Sequence, residues 1–180
     1  MLAVVVGSLA LLAFVLIRLA GEEYARDGRL STSTSMFGWA LYVLHGLTTI
    51  LTAAAGLWRL DVPAAPAVAM GIVLVLAGLA LGAAGAIALG SLGPLLGSEP
   101  GRLVTTGVYA VTRHPQTVGW ALVLLGAAVI GRSGLALALA LGFVVVGALA
   151  LLAFVLIRLA GEEYARDGRL STSTSMFGWA

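Results

Sequence analysis

Apolar residues run in five long stretches, Leu2–Ala20, Phe37–Trp58, Ala67–Gly90, Pro115–Gly131 and Leu135–Ile157. Polar breaks separate them at Gly21–Ser35, Arg59–Pro66, Ser91–His114 and Arg132–Gly134. About 20 consecutive apolar residues in a helix cross a hydrocarbon core of ~30 Å. The pattern therefore predicts five membrane-spanning helices, the fourth of them near the short limit. The tight break Arg132-Ser-Gly134 predicts that the fourth and fifth form an antiparallel helical hairpin. The first stretch lacks a basic region on its N-terminal side and a clear small-x-small cleavage site, so it is expected to be a retained helix and not a signal peptide.

Composition agrees with that pattern. The chain is 61% hydrophobic and 10% charged, with mean hydropathy +1.08. A water-soluble domain of 180 residues has no use for so much apolar surface. The expected fold class is an all-α integral membrane protein of about five transmembrane helices, with a C-terminal helical hairpin and a cytoplasmic tail. There is no cysteine, which excludes disulfides, thiolate metal sites and cysteine nucleophiles. All ten basic residues are arginine, so Schiff-base lysines and a Walker lysine are excluded as well. No metal site is expected. The arginines flank apolar stretches, and the net charge of +2 gives no reason to expect a nucleic-acid partner.

The arginines also predict an orientation. Arg18 near the end of the first stretch, and Arg26, Arg29, Arg102, Arg113, Arg158, Arg166 and Arg169 after the first, third and fifth, lie on one side, whereas only Arg59 and Arg132 follow the second and fourth. Excess positive charge stays on the cytoplasmic side. The expected location is the cell (inner) membrane, with the N-terminus outside. The 91–114 loop and the C-terminal tail then face the cytoplasm.

Two stretches carry a pattern beyond hydropathy. Tyr42, His45, Thr49 and Thr52 recur at helical spacing and share one face, expected to point into the bundle. His45 reads either as a neutral histidine bonded to a carbonyl or a threonine, or as part of a cavity for a substrate headgroup. Gly78, Gly82, Ala86 and Gly90 recur every four residues, a small-residue ridge for close helix packing.

Residues 10–40 and 150–180 are identical over 31 positions, and Val4-Val-Val-Gly7 matches Val144-Val-Val-Gly147 in the same register. Two copies at the ends of a chain are not a solenoid. Residues 171–180 repeat 31–40 and are too short to cross a bilayer. The expected organisation is one multi-span membrane domain over 1–170 followed by a tail over 171–180.

The polar stretch most closely joined to an apolar one is Gly107-Val-Tyr-Ala-Val-Thr-Arg-His-Pro-Gln-Thr-Val-Gly-Trp120. Proline suits the first helical position and disfavours the α conformation in the residue before it. A helix is thus expected to start at Pro115 with His114 as its N-cap. Arg113 and His114 would then lie beside free backbone N–H groups at the positive end of a helix, a setting that favours a carboxylate or phosphate. Gly119 leaves room for a ligand or another helix. The same arginine and histidine would also serve as a headgroup anchor at the membrane surface.

The spacing Gly-x-Tyr-x-x-x-Arg-His-Pro-x-x-x-Gly-Trp, ahead of an apolar helix, resembles the isoprenylcysteine carboxyl methyltransferase superfamily, which includes the phospholipid methyltransferases. The resemblance covers residues 67–170. It implies S-adenosylmethionine as cofactor and methyl transfer to a lipophilic acceptor, either a carboxylate or a lipid headgroup, reached from the lipid bilayer. It implies that Arg113 and His114 are the catalytic pair that holds carboxylate groups of cofactor or substrate. It further implies a cofactor site of Tyr109, His114, Pro115, Gly119 and the Glu162-Glu163 pair that follows the last helix. Tyr42, His45 and Trp120 would line the substrate cavity. Tyr164-Ala-Arg-Asp-Gly168 stands where the family continues with a Phe-Gly and further tyrosines, and Glu22-Glu23 is an identical acidic pair in the first copy. Two other readings remain: a non-catalytic multi-span protein that keeps the motif as a helix cap, and an intramembrane NADPH-dependent reductase. The reductase would need more basic residues to meet the cofactor phosphates than the chain offers.

Overall fold

The computed structural model describes residues 12, 15–23, 26–27, 30–90, 104–112 and 114–148. Five helices account for most of them. They are α1 (residues 15–23), α2 (Thr32–Ala54), α3 (Ala64–Leu89), α4 (Pro115–Ile130) and α5 (Gly134–Ala148). A short 3-10 turn, Gly107–Ala110, precedes α4. The first compact unit is Met1–Leu141; of the second, Gly142–Ala180, residues 142–148 are described and are helical. The described residues hold no β-strand beyond an isolated bridge between Arg59 and Ser133.

Helix boundaries depart from the hydropathy pattern where capping chemistry overrides it. α2 begins at Thr32, five residues ahead of the apolar stretch at Phe37, because Ser31 caps it. The Ser31 hydroxyl accepts from the Thr34 N–H at 3.3 Å, so the polar Ser/Thr run enters the first turns of the helix. α2 ends at Ala54, short of Trp58, because Gly56 (φ 60°) and Trp58 (φ 54°) both turn left-handed. α3 ends on Gly90 at φ 71°, a left-handed C-cap.

α2 and α3 are long and apolar enough to cross a membrane, and α4 and α5 are shorter apolar helices. Their outward faces carry Leu44, Leu47, Leu51, Met70, Val73, Leu76 and Leu79, all exposed. A surface of this kind fits lipid and not water.

α3 and α4 touch through glycine. An ideal Cβ on Gly126 would lie 2.7 Å from the Gly71 carbonyl oxygen and 2.9 Å from the Val75 nitrogen. One on Gly119 would lie 2.6 Å from the Gly78 oxygen and 2.9 Å from the Gly82 nitrogen. One on Gly85 would lie 2.7 Å from Pro115 Cγ. The contact stripe on α3 is therefore Gly71, Gly78 and Gly85, seven residues apart, and not the four-residue series ending at Gly90. Seven residues fall about 20° short of two full turns, whereas steps of four drift off the face by about 40° each. Gly82 is on the edge of the stripe: its backbone meets Gly119, but a Cβ of its own would meet nothing within 4 Å.

At the other end of α4, a small polar lock joins three helices. Ser133, fully buried, donates its hydroxyl to the Leu57 carbonyl at 2.6 Å and accepts from the Ala136 N–H at 3.2 Å, capping α5. Leu60 N–H donates to the Arg132 oxygen (2.7 Å), and Gly134 N–H donates to the Trp58 oxygen (2.9 Å). Below the lock, Ala53, Ala128 and Ala136 from α2, α4 and α5 make a small apolar core with Leu137 against it. Ser133→Ala removes the cap and leaves the Leu57 carbonyl without its donor. It is expected to lower stability by about 1–2 kcal/mol, read as a lower unfolding temperature in detergent micelles with ligand affinity unchanged.

Candidate functional site

The start of α4 follows from its sequence. His114 takes φ −132° and ψ 58°, outside the α region as a residue before proline requires, and Pro115 occupies the first turn. No side chain caps the helix. The first intrahelical bond runs from the Val118 N–H to the His114 oxygen at 3.0 Å. The amides ahead of it point out of the helix end, where the helix dipole adds positive potential. His114 is exposed, and its own N–H donates to the Thr112 hydroxyl at 3.3 Å. Arg113 lies outside the described residues.

Pro115 is buried and its ring rests against α3 at Gly85, where a side chain would displace it. The 3-10 turn is tied to the same place. Gln116 donates from its side-chain amide to the Tyr109 hydroxyl at 2.7 Å, and that hydroxyl donates onward to the Gly85 carbonyl at 3.4 Å. Tyr109, Pro115, Gln116 and Gly85 thus meet at one end of the α3–α4 pair. Gln116 and Gly85 carry no signal in the motif spacing. The available clue for Gly85 was its seven-residue distance from Gly78 and Gly71.

Gly119 does let something come close, and that something is α3: backbone atoms of Gly78 and Gly82 fill the space a side chain would take. The next residue faces the other way. Trp120 stacks on Tyr42 of α2 with ring centroids 5.3 Å apart and planes at 22°. Its six-membered ring lies on Gly46, where any Cβ would collide with it. Tyr42 in turn meets Trp39 at 5.4 Å in a tilted arrangement. The Trp120 indole N–H is shut away from solvent and has no acceptor among the described residues. A buried donor in that state costs about 1–3 kcal/mol.

On the rest of the α2 stripe, Thr49 and Thr52 are buried and Tyr42 and His45 half-buried, so the face turns inward. The Thr49 hydroxyl donates to the His45 carbonyl one turn back at 2.9 Å, a bond within its own helix.

The acidic pair of the first copy is engaged locally. Glu22 lies 3.9 Å from Arg18 in an exposed i,i+4 pair, a contact worth little. Glu23 lies by the start of α2, where the hydroxyls of Ser31 and Thr34 hold its carboxyl below the usual carboxylate range. Glu162 and Glu163 lie outside the described residues. The described residues contain no cluster of three or more histidine, cysteine or acidic side chains that could hold a metal.

The arrangement offers an uncapped helix end beside a tyrosine–glutamine–carbonyl chain, and an aromatic wall one to two turns further along the same helix. No curated protein and no solved structure matches the chain. A family model does: phospholipid methyltransferase, over residues 66–156. The matched stretch spans α3, the 3-10 turn, α4 and α5, just over half of the 180 residues, and it places this chain in the phospholipid methyltransferase family.

Proposed function

We propose that the protein is an integral-membrane methyltransferase that transfers the methyl group of S-adenosylmethionine to a lipophilic acceptor, a carboxylate or a lipid headgroup. The observation that carries this reading is the built end of α4. The helix terminus is uncapped, Pro115 is wedged on Gly85, and Tyr109 is held by Gln116, all inside the stretch that matches the family. The cofactor carries a carboxylate. His114 and the first amides of α4 form a setting that attracts one, and this reading assigns Arg113 to pair with it. Tyr109 and Pro115 shape that end of the site, and this reading assigns Glu162 and Glu163 to contact the cofactor's ribose hydroxyls or its ammonium. The role of Gly119 is to bring α3 against α4, so that the helix end is rigid.

The chemistry is an in-line displacement. When bound, S-adenosylmethionine would supply an electrophilic methyl group, released to the acceptor with a neutral thioether as the leaving group. Such a step depends on alignment and exclusion of water more than on acid–base groups. A carboxylate acceptor attacks as it stands. An amine acceptor must first be neutral, and His114 is the base nearest to hand. The membrane domain of this reading is residues 1–170. With five spans and the arginine excess on the inner side, the Arg-His-Pro loop would face the cytoplasm, the side of a soluble cofactor.

The test is to incubate membranes containing the protein with S-adenosylmethionine labelled in its methyl group, extract the lipids, and compare them by mass spectrometry with membranes lacking it. The expected result is a labelled methyl in one lipid class. No labelled lipid, together with no binding of S-adenosylmethionine to the purified protein, would remove the reading.

A further inference from the structure

The contacts that close α1 onto the head of α2 fall inside the repeated stretch 10–40. Leu16, Ala20 and Glu23, at helical spacings of four and three, are half-buried, whereas Val15, Ile17 and Leu19 beside them are exposed. The Leu16 side chain lies 3.4 Å from where a Cβ on Gly38 would stand. The Glu23 carboxyl lies against the hydroxyls of Ser31 and Thr34. Ser31 is the N-cap of α2, and its hydroxyl is 3.1 Å from that of Thr34. Seven residues, 24–30, connect α1 to Ser31, so little chain entropy opposes the closure.

A shift of 140 positions, from 10 to 150, meets the same residue each time: Leu156, Ala160, Glu163, Ser171, Thr174 and Gly178, with an identical connector over 164–170. Residues 149–180 lie outside the described residues. The closing contacts of the first copy use nothing from residues 41–54, so the second copy holds every group that makes them. We infer that residues 155–180 close into a second hairpin of the same form, with Leu156 on Gly178 and the Glu163 carboxylate on the Ser171 and Thr174 hydroxyls, and that this closure is a latch on Glu163. The cofactor's ribose offers the same kind of O–H donor as the two side chains. Cofactor and latch therefore compete for one carboxylate. The competition rests on the proposed function; the hairpin does not. In the first copy Ser31 is exposed and Glu23 half-buried. Hydrogen bonds with water so close contribute little each, so the latch is reversible, and residues 171–180 act on cofactor affinity by holding Glu163 or releasing it.

The test uses the full chain in micelles of an uncharged detergent. The chain has no cysteine, so an introduced pair of thiols reacts alone. Leu156→Cys with Gly178→Cys probes the second hairpin, and Leu16→Cys with Gly38→Cys probes the first. Dibromobimane, which bridges two adjacent thiols, is added, and bridged monomer is read by mass spectrometry. The expected result is bridging of both pairs to a similar extent. Adding Ser171→Ala and Thr174→Ala should lower bridging of the second pair and leave the first as it was. Saturating S-adenosylmethionine should also lower bridging of the second pair. In the cysteine-free chain, Ser171→Ala with Thr174→Ala should tighten S-adenosylmethionine binding by about three- to tenfold, because apparent affinity is reduced by the fraction of chains held shut. A first pair that bridges beside a second pair that does not overturns the inference. So does bridging of the second pair that is indifferent to the two hydroxyls, or cofactor affinity unchanged by their removal. Cofactor binding by the wild type without bridging of the second pair defeats this inference alone. Bridging of the second pair in a chain that binds no S-adenosylmethionine defeats the methyl-transfer reading and leaves the hairpin standing.

Discussion

Gly119→Ala is expected to drive α3 and α4 apart and to lower stability by about 2–3 kcal/mol, the upper part of the range for overpacking a close contact. The reason is that the new methyl meets main chain. Its Cβ would stand 2.6 Å from the Gly78 oxygen, 2.9 Å from the Gly82 nitrogen and 3.2 Å from the Gly82 Cα. A flexible side chain could rotate out of the way, but two helix backbones must move as rods. Moving them also disturbs the contact of Pro115 on Gly85 and the link from Tyr109 to the Gly85 carbonyl. Gly82→Ala is the matched control. Its Cβ meets nothing within 4 Å, so the substitution should be neutral, or stabilising by up to about 1 kcal/mol through helix propensity. Thermal unfolding and monodispersity in one detergent compare the two variants. For a chain of this length a 2–3 kcal/mol loss corresponds to about 5–10 °C. Equal unfolding temperatures for Gly119→Ala and Gly82→Ala would show that the two helices are not in contact at this point.

Arg113→Ala is expected to weaken S-adenosylmethionine binding by ten- to a hundredfold. A charge-assisted contact to a carboxylate at a helix end is worth ~1.5–3 kcal/mol, at about 1.4 kcal/mol per decade of affinity. Arg113→Lys should restore part of the loss, because the charge returns without the two-pronged planar geometry. Arg132→Ala is the comparison at the opposite end of α4. Arg132 donates to the Val62 carbonyl at 3.2 Å and belongs to the lock around Ser133, so its loss should lower the unfolding temperature and leave affinity intact. If Arg113 only anchors the helix at the headgroups, its variant will instead behave like that of Arg132. Isothermal titration on the folded fraction of each variant separates the two. Equal affinity in wild type and Arg113→Ala would take Arg113 out of the site.

Much of this architecture is legible in the order of residues. The start of α4 at Pro115 with His114 as its N-cap follows from proline's own ring, which constrains two successive residues whatever surrounds them. The helical class and the apolar stretches of α2, α3 and α4 follow from uninterrupted hydropathy, since a backbone surrounded by lipid must bond to itself. The inward turn of Thr49 and Thr52 follows from their spacing. The motif's resemblance to a methyltransferase superfamily agrees with the match over residues 66–156. These properties are local, set by a few neighbouring side chains or by the solvent a whole stretch requires.

What needed the tertiary structure is the identity of each partner. Nothing in the sequence says that Gly119 receives α3, or that Gly71, Gly78 and Gly85 outrank Gly82 and Gly90, because several glycine series of similar quality exist along α3. Which series is used depends on the angle at which the second helix crosses. Gln116 looks like any polar residue of a first helical turn until Tyr109 is found beside it. Tyr42 and Trp120 are 78 positions apart, counting from 42 to 120, and their stacking exists only because Gly46 leaves room for the indole. The apolar helices α2, α3 and α4, the start of α4 and the family all rest on constraints that act along the chain. Which face meets which rests on contacts between segments that share no local signal.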